Sequence, residues 1–425
     1  MLTFLVGVFS CMFLILPQTS FAVDKLLQES DLTYLGAFRV PGGQYGCSTD
    51  EQCSFHFSQG PLGYNPTNNS LFLAGHTYNQ WVAEISIPTL VNSTDINSLN
   101  TASIRQNFAD LSAGHRNDME PVNGCKLGGI IMNGTKLVIS DYAYYDGNYS
   151  ANLTHFEANA NWTANGVGFS GLKRVDIPGS IQAGFIGGYM ANIPAAWQSQ
   201  LGGSALTGKA DIPIIARTSL GPAAFSFDPS QVAAASGTIP ANPLIYYDQY
   251  NNHWRFYLQS TGTWSYNTAA WSVNNDFSDM ASMVNGVVFP EKSRTILFFG
   301  RDGDTTCYGD VPPCVDPANQ DHGFHGYPYH YKVWAYDAND LLAVKNGAKE
   351  PWEIVPYAMW SPSLPFYGQE HIVAGVAYDP ATQRIYLAVD HGEGNLPVIH
   401  VYQVNVTGGT SDATAPAAPT GLRVQ

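Results

Sequence analysis

Short apolar runs recur along this chain, each followed by a polar turn and a second apolar run. Leu62-Gly63-Tyr64-Asn65-Pro66 leads through a turn to Leu71-Phe72-Leu73-Ala74. Gly375-Val376-Ala377-Tyr378-Asp379-Pro380 leads to Arg384-Ile385-Tyr386-Leu387-Ala388-Val389. Looser copies run from Leu127 to Ile139 with the turn Asn133-Gly134, from Gly286 to Phe299, and from Ala224 onward with Asp228-Pro229. Asn-Gly, Asn-Pro and Asp-Pro favour tight reversals between strands, so each copy predicts a hairpin. Five such echoes predict an all-β, radially repeated fold, a β-propeller. The copies start near residues 62, 127, 224, 286 and 375, with gaps of 65, 97, 62 and 89 residues. Each long gap has room for an extra blade or a large insertion, which sets a range of five to seven blades.

Third strands follow the hairpins, in Val82–Ile87, Leu172–Ile177, Val333–Asp337 and Val398–Val404, where apolar and polar residues alternate. Residues 32–40 read as a strand that completes the last blade and closes the ring, removing an open sheet edge. Helices are few and short. Pro229–Gly237, residues 194–203 and Asn339–Gly347 carry helix punctuation, with Asn339 as the expected N-cap of the third. They decorate loops and form no core.

Composition agrees with a secreted all-β chain: 12% of residues are charged, 13% are aromatic, and there are 41 glycines. Leu2 to Leu16 is apolar and Ser20-Phe21-Ala22 supplies small residues where a signal peptidase cuts, so residues 1–22 read as a signal peptide. Cys11 lies inside the apolar run and not after it, which favours cleavage over lipid attachment. No later segment is long and apolar enough for a membrane helix. Export favours oxidation, so Cys47 with Cys53, and Cys307 with Cys314, read as two local disulfides, leaving Cys125 as a buried thiol. Seven Asn-x-Ser/Thr sequons are present. The net charge of −15 argues against nucleic acid and anionic membranes as partners. Residues 32–406 form the expected propeller domain, and residues 407–425 read as a linker and the start of a further C-terminal domain.

Function on a rigid scaffold sits in its loops. In a propeller, the loops after second strands and those leading into first strands gather at one end. His76-Thr77-Tyr78, Asp141-Tyr142-Ala143-Tyr144, Arg301-Asp302-Gly303-Asp304 and Asp390-His391 follow second strands in four copies. Loops leading into first strands add His115-Arg116-Asn117-Asp118, Arg217 and Glu370-His371, and the insertion from Cys307 to His330 adds His322 and His325. Glycan cleavage needs a proton acceptor and donor near neutrality and a cation for a uronate carboxylate. His76, His115, Tyr144 and Arg217 suit those roles, with Arg301 as a second cation. Tyr78, Asn117, Asp141, Tyr142, His322, His325 and His391 would line the substrate. No cofactor is required; Asp302-x-Asp304 has part of a calcium loop, and His322-x-x-His325 has the spacing of a zinc pair. Phosphate-loop, dinucleotide and Gly-x-Ser-x-Gly signatures are absent from the sequence.

Tyr34-Leu35-Gly36-Ala37-Phe38-Arg39-Val40-Pro41, Ala83–Pro88, Arg217–Phe225 and Tyr331–Asp337 resemble secreted β-propeller proteins of undescribed function, a likeness that implies no activity. The chain is loosely similar to propeller polysaccharide lyases, which place His, Tyr and Arg in a central cleft. Pro419-Thr420-Gly421-Leu422-Arg423-Val424 resembles the opening strand of a fibronectin type III module. The expected function is engagement of an extracellular polysaccharide, with lyase-type cleavage of an anionic chain. The competing expectation is a non-catalytic adhesion or protein-interaction module.

Overall fold

The computed structural model describes residues 25–118, 124–144, 150–177, 181, 183–210, 221–234, 237–247, 255–258, 263–266, 277–278, 281–304, 307–308, 315–317 and 324–406. Five blades surround one axis. From the axis outward, blade 1 holds Leu62–Asn65, Ser70–Ala74, Val82–Ser86 and Ile104–Ala109. Blade 2 holds Cys125–Asn133, Lys136–Ala143 and His155–Asn159. Blade 3 holds Ile186–Asn192, Ala205–Lys209, Ala224–Phe227 and Thr238–Ile245, with Arg174–Asp176 added in parallel at the outside. Blade 4 holds Met283–Val288, Thr295–Gly303, Tyr329–Asp337 and Ala358–Trp360. Blade 5 holds Val373–Asp379, Arg384–Glu393, Leu396–Val404 and, outermost, Leu32–Arg39.

The N-terminal strand therefore closes the ring as expected, pairing Leu32 with Val404 through to Arg39 with Val398. His400, fully buried, reinforces this closure: Tyr34 Oη lies 2.9 Å from Nδ1, and Nε2 donates to the Phe366 carbonyl at 3.1 Å. Burial pushes this imidazole down to about 4, so it stays neutral in the fold. His155 does a similar job between blades 2 and 3, lying 3.0 Å from Thr207 Oγ1.

Two sequence expectations are corrected. The Ala224 echo is not a first hairpin; it forms the third and fourth strands of blade 3, whose inner strand is Ile186–Asn192. Residues 172–177 do not supply the third strand of blade 2. That strand is His155–Asn159, and Arg174–Asp176 joins the rim of blade 3. Ala195–Leu201 forms a helix ended by Gly202 in the left-handed conformation. Ala338–Lys345 is capped by Asp337, whose side chain accepts from the Asn339 amide, two residues before the expected cap Asn339.

The ring is tight because its inner strands approach one another at glycines, against backbone at Gly128 and Gly375 and against a side chain at Gly63 and Gly286. A Cβ added at Gly63 would meet Ile130 at 2.7 Å; at Gly128, the Gly187 carbonyl at 1.9 Å; at Gly286, Val376 at 2.1 Å; at Gly375, the Leu62 amide at 2.5 Å. Four of the five junctions thus close on glycine. The junction of blades 3 and 4 is filled with aromatic rings instead, Tyr189 standing edge-on to Phe298 at 5.8 Å. In blades 2 to 5 the inner strand also bulges at or beside these glycines, between Leu127 and Gly129, Ile186 and Tyr189, Val284 and Gly286, and Val373 and Gly375. The channel left at the hairpin-turn end holds about 100 Å³, lined by Tyr64, Ile131, Met190, Val287 and Val376 among others. Sites for drug-sized ligands start at roughly 300 Å³, so this space is too small for a sugar chain.

The junctions give a direct test. Gly128→Ala places a methyl against a backbone carbonyl that has nowhere to go. It should cost about 3 kcal/mol, as overpacking a tight core does. Gly394→Ala, in an open turn with φ +60 and nothing nearby, should cost about 1 kcal/mol. Urea unfolding of both variants measures the difference; equal midpoints would contradict the packing account.

Candidate functional site at the loop end

Second strands finish, and inner strands begin, at the same end of the propeller. Expected site residues gather there on described loops and strand ends, among them His76, Tyr78, Asp141, Tyr144, Arg301 and His391. Phe57 connects two blades at this end. Its amide donates to the Asn395 carbonyl at 2.7 Å, and its ring lies edge-on to His76 at 5.6 Å and to His391 at 5.7 Å. Phe57, His371 and His391 hold φ of 53, 52 and 51, a region costly for residues with a Cβ. Strain concentrated on aromatic side chains at one face points to a site.

Asp390 and His391 form its best-defined charged pair. Asp390 is buried, accepts from Gln59 Nε2 at 2.8 Å, and lies 2.6 Å from His391 Nδ1. The adjacent carboxylate raises the His391 pKa. His371 behaves oppositely. The Gln369 carbonyl can only accept, so Nδ1 carries the proton at 3.2 Å and Nε2 keeps its lone pair. Burial lowers the His371 pKa, and Tyr367 stacks on its ring at 4.5 Å. His76 is also held low by burial, its Nδ1 accepting from the Tyr78 amide at 3.2 Å.

Other expected residues are committed elsewhere. Arg301 is buried; Nη1 donates to the Glu370 carbonyl at 2.7 Å and to its Oε2 at 3.0 Å, and the guanidinium lies 4.1 Å over Tyr329. It is thereby occupied within the protein. His115 sits 2.7 Å from Asp118 and stacks on Phe169 at 5.1 Å, against the side of blade 2. Asn117 accepts the Cys125 amide. Asp141 is wholly buried with Oδ1 accepting the Tyr142 amide, and burial pushes its carboxyl well above the usual range. Tyr142 packs with Cys125, Ala143 and Phe185. Tyr144 is half-exposed, 5.9 Å from Lys126 Nζ. His325 is buried 3.3 Å from Asp316. Asp302 accepts from Ser282 and pairs with Lys332, and Asp304 lies 2.9 Å from His330. Among the described residues, no three His, Cys, Asp or Glu side chains converge as a metal site would need. Cys47 and Cys53 form the expected disulfide, with Cα atoms 5.8 Å apart. Arg217, His322, Cys314, the Cys307 side chain, residues 1–22 and the 407–425 tail lie outside the described residues.

Sequence reasoning anticipated part of the largest feature of this face, naming Tyr78 and Tyr144 but not Phe57, Val315 or Tyr367. Among the described residues the exposed large hydrophobic side chains are Phe57, Tyr78, Tyr144, Val315, Tyr327 and Tyr367. All six sit on loops at this end, and five are aromatic rings. Each ring but Tyr327 touches an ionisable neighbour: Phe57 His76 and His391, Tyr78 His76, Tyr144 Lys126, Tyr367 His371. Lys126 and Gln59 were not singled out, and Arg116 and Glu370 were named in their loops without a role.

No protein-family pattern and no curated protein sequence matches the chain. Among solved structures it superposes loosely on native Bacillus subtilis arabinanase Arb43A, at 9% identity over 81% of this chain and 93% of that one, with a TM-score of 0.39. Cellvibrio cellulosa α-L-arabinanase complexed with arabinohexaose gives 8%, 82%, 91% and 0.38. Luciferin-regenerating enzyme gives 8%, 82%, 92% and 0.33. Likenesses this distant carry nothing about substrate or mechanism; the fold rests on the strand pairing itself.

The charge pair is testable in solution. Asp390→Asn removes the carboxylate that favours protonated His391, so the imidazole should titrate at lower pH than in the parent chain. An NMR titration of the histidine ring protons reads the shift. An unchanged or higher His391 pKa would contradict the pairing.

Proposed function

We propose that the loop end binds a polysaccharide chain outside the cell. The carrying observation is the segregation of every described exposed large apolar side chain to that end, five of the six being aromatic. An aromatic face offers a sugar ring a flat partner for its C–H surface, and adjacent polar groups meet its hydroxyls. A protein partner would favour a continuous apolar core, whereas here the rings stand apart, each among polar or ionisable groups. The signal-like N-terminus and the Cys47–Cys53 disulfide support an exported setting.

Cleavage is the second reading, favoured by the two histidine tautomers. His371 Nε2 has a free lone pair and a lowered pKa, and His391 is biased toward its protonated form. The two loops touch: the Gly368 amide donates to the Asp390 carbonyl, and a Cβ on Gly368 would meet the His391 Cβ at 2.8 Å. In a lyase step, His371 would take the proton beside a uronate carboxylate. The electron pair would form the new double bond as the glycosidic oxygen leaves, protonated by His391.

Calorimetry with a panel of plant and marine polysaccharides tests the binding reading, with absorbance of an unsaturated uronate followed in parallel. Tyr78→Ala and Tyr367→Ala should each weaken binding about tenfold, roughly the loss of one stacking contact. Their melting temperatures should match the parent, since both side chains are more than half exposed. Absence of binding across the panel would favour the protein-interaction module instead.

A further inference from the structure

Lys126 stands near the start of the inner strand of blade 2 and reaches back to blade 1. Its Nζ donates to the Thr77 carbonyl at 2.7 Å and lies 3.1 Å from Thr77 Oγ1. Arg116, from the loop joining the two blades, donates to the Tyr78 carbonyl at 2.6 Å, the Asn79 carbonyl at 2.8 Å and Gln80 Oε1 at 3.3 Å. These acceptors satisfy the donors but carry no net charge. Elsewhere, Lys25, Arg39, Arg105, Arg294, Arg301, Lys332 and Lys349 each have a carboxylate within ion-pair distance. Among the described residues, Lys126 and Arg116 have none, and neither do Lys136, Lys173, Arg174, Lys292, Lys345 and Arg384.

The two charges also disfavour each other. Burial and then the Arg116 charge bring the Lys126 amine down to about 8. The titratable groups nearby do not cancel them. His76 is near enough to feel Lys126 and is itself held low by burial. Asp141 feels Arg116, but its buried carboxyl favours the neutral form, and Oδ2 has no hydrogen-bond partner among the described residues. Two uncompensated cations in a chain of net charge −15 constitute an arrangement that an arriving anion would stabilise. The exposed rings of Tyr144 and Tyr78 flank them.

We propose that Lys126 and Arg116 form the anion-reading subsite of the loop face, taking the carboxylate or sulfate of an acidic sugar stacked on Tyr144. The assignment rests on the polysaccharide reading and names its substrate class. Arg116 holds the 78–80 backbone, so Lys126 is the residue to vary.

Calorimetry on the full chain with polygalacturonate, a sulfated galactan and a neutral galactan tests it, and the first two polymers separate carboxylate from sulfate. At low salt one acidic polymer should bind about tenfold tighter than the neutral one, with the preference shrinking as salt rises. Lys126→Gln should remove that preference, lowering acidic binding more than neutral binding; Lys126→Arg should keep it. Equal losses for acidic and neutral polymers in Lys126→Gln, or an unaltered preference, would overturn the subsite. Tyr78-dependent binding to the neutral galactan with no preference for acid would overturn it while leaving the polysaccharide reading intact. Failure of all three polymers to bind would remove the polysaccharide reading as well.

Discussion

The close approach of the inner strands at glycines is the constraint on which the molecule depends. Where Gly128 meets Gly187 and Gly375 meets Leu62, no side chain fits. Interiors are packed densely enough that a missing Cβ at four junctions sets how near the blades approach. The bulges beside these glycines bend the inner strands away from ideal pairing. The result is a narrow, apolar channel at the hairpin-turn end and, at the other end, loops drawn from all round the ring.

That geometry sets the two ends of the ring apart. The hairpin ends need only tight turns, and there Asn69, Lys292 and Gln383 supply positive φ. The loop end contains the strained Phe57, His371 and His391 and the exposed rings. Many charges there serve the scaffold: Glu370 occupies Arg301, and Lys332 occupies Asp302. What remains for a ligand is stacking surface, two histidines of opposite bias, and the Lys126–Arg116 pair. This fits a surface that reads a chain lying across it better than a deep pocket that swallows a small molecule.

The hairpins were legible because period-two alternation and Asn/Asp turns survive in sequence. Ring closure by Leu32–Arg39 followed from the same logic. Blade 3 was misread for a physical reason. Its first hairpin is interrupted by the Ala195–Leu201 helix, so Ile186-Gly187-Gly188-Tyr189 has no tight turn after it, whereas Asp228-Pro229 imitates one. At the loop end, register pointed to His76, Asp141, Arg301 and His391, but could not show that Arg301 is taken by Glu370, 69 residues away. His115 shares the expected loop yet turns to Phe169. Lys126 was hidden because a single lysine beginning an apolar strand looks like a solvated edge. Exposed aromatics cannot be told from core aromatics without the fold, since blade cores also use Tyr and Phe.

The account places ligand contact on one end of the ring, and hydrogen exchange locates contact directly. Deuterium uptake should be compared for the full chain alone and saturated with the tightest-binding polysaccharide. Slowed exchange in residues 54–61, 75–81, 110–118, 366–372 and 390–395, with the 65–70, 288–295 and 379–384 turns unchanged, is the predicted result. Protection confined to those turns, or spread along the outer blade edges, would contradict it.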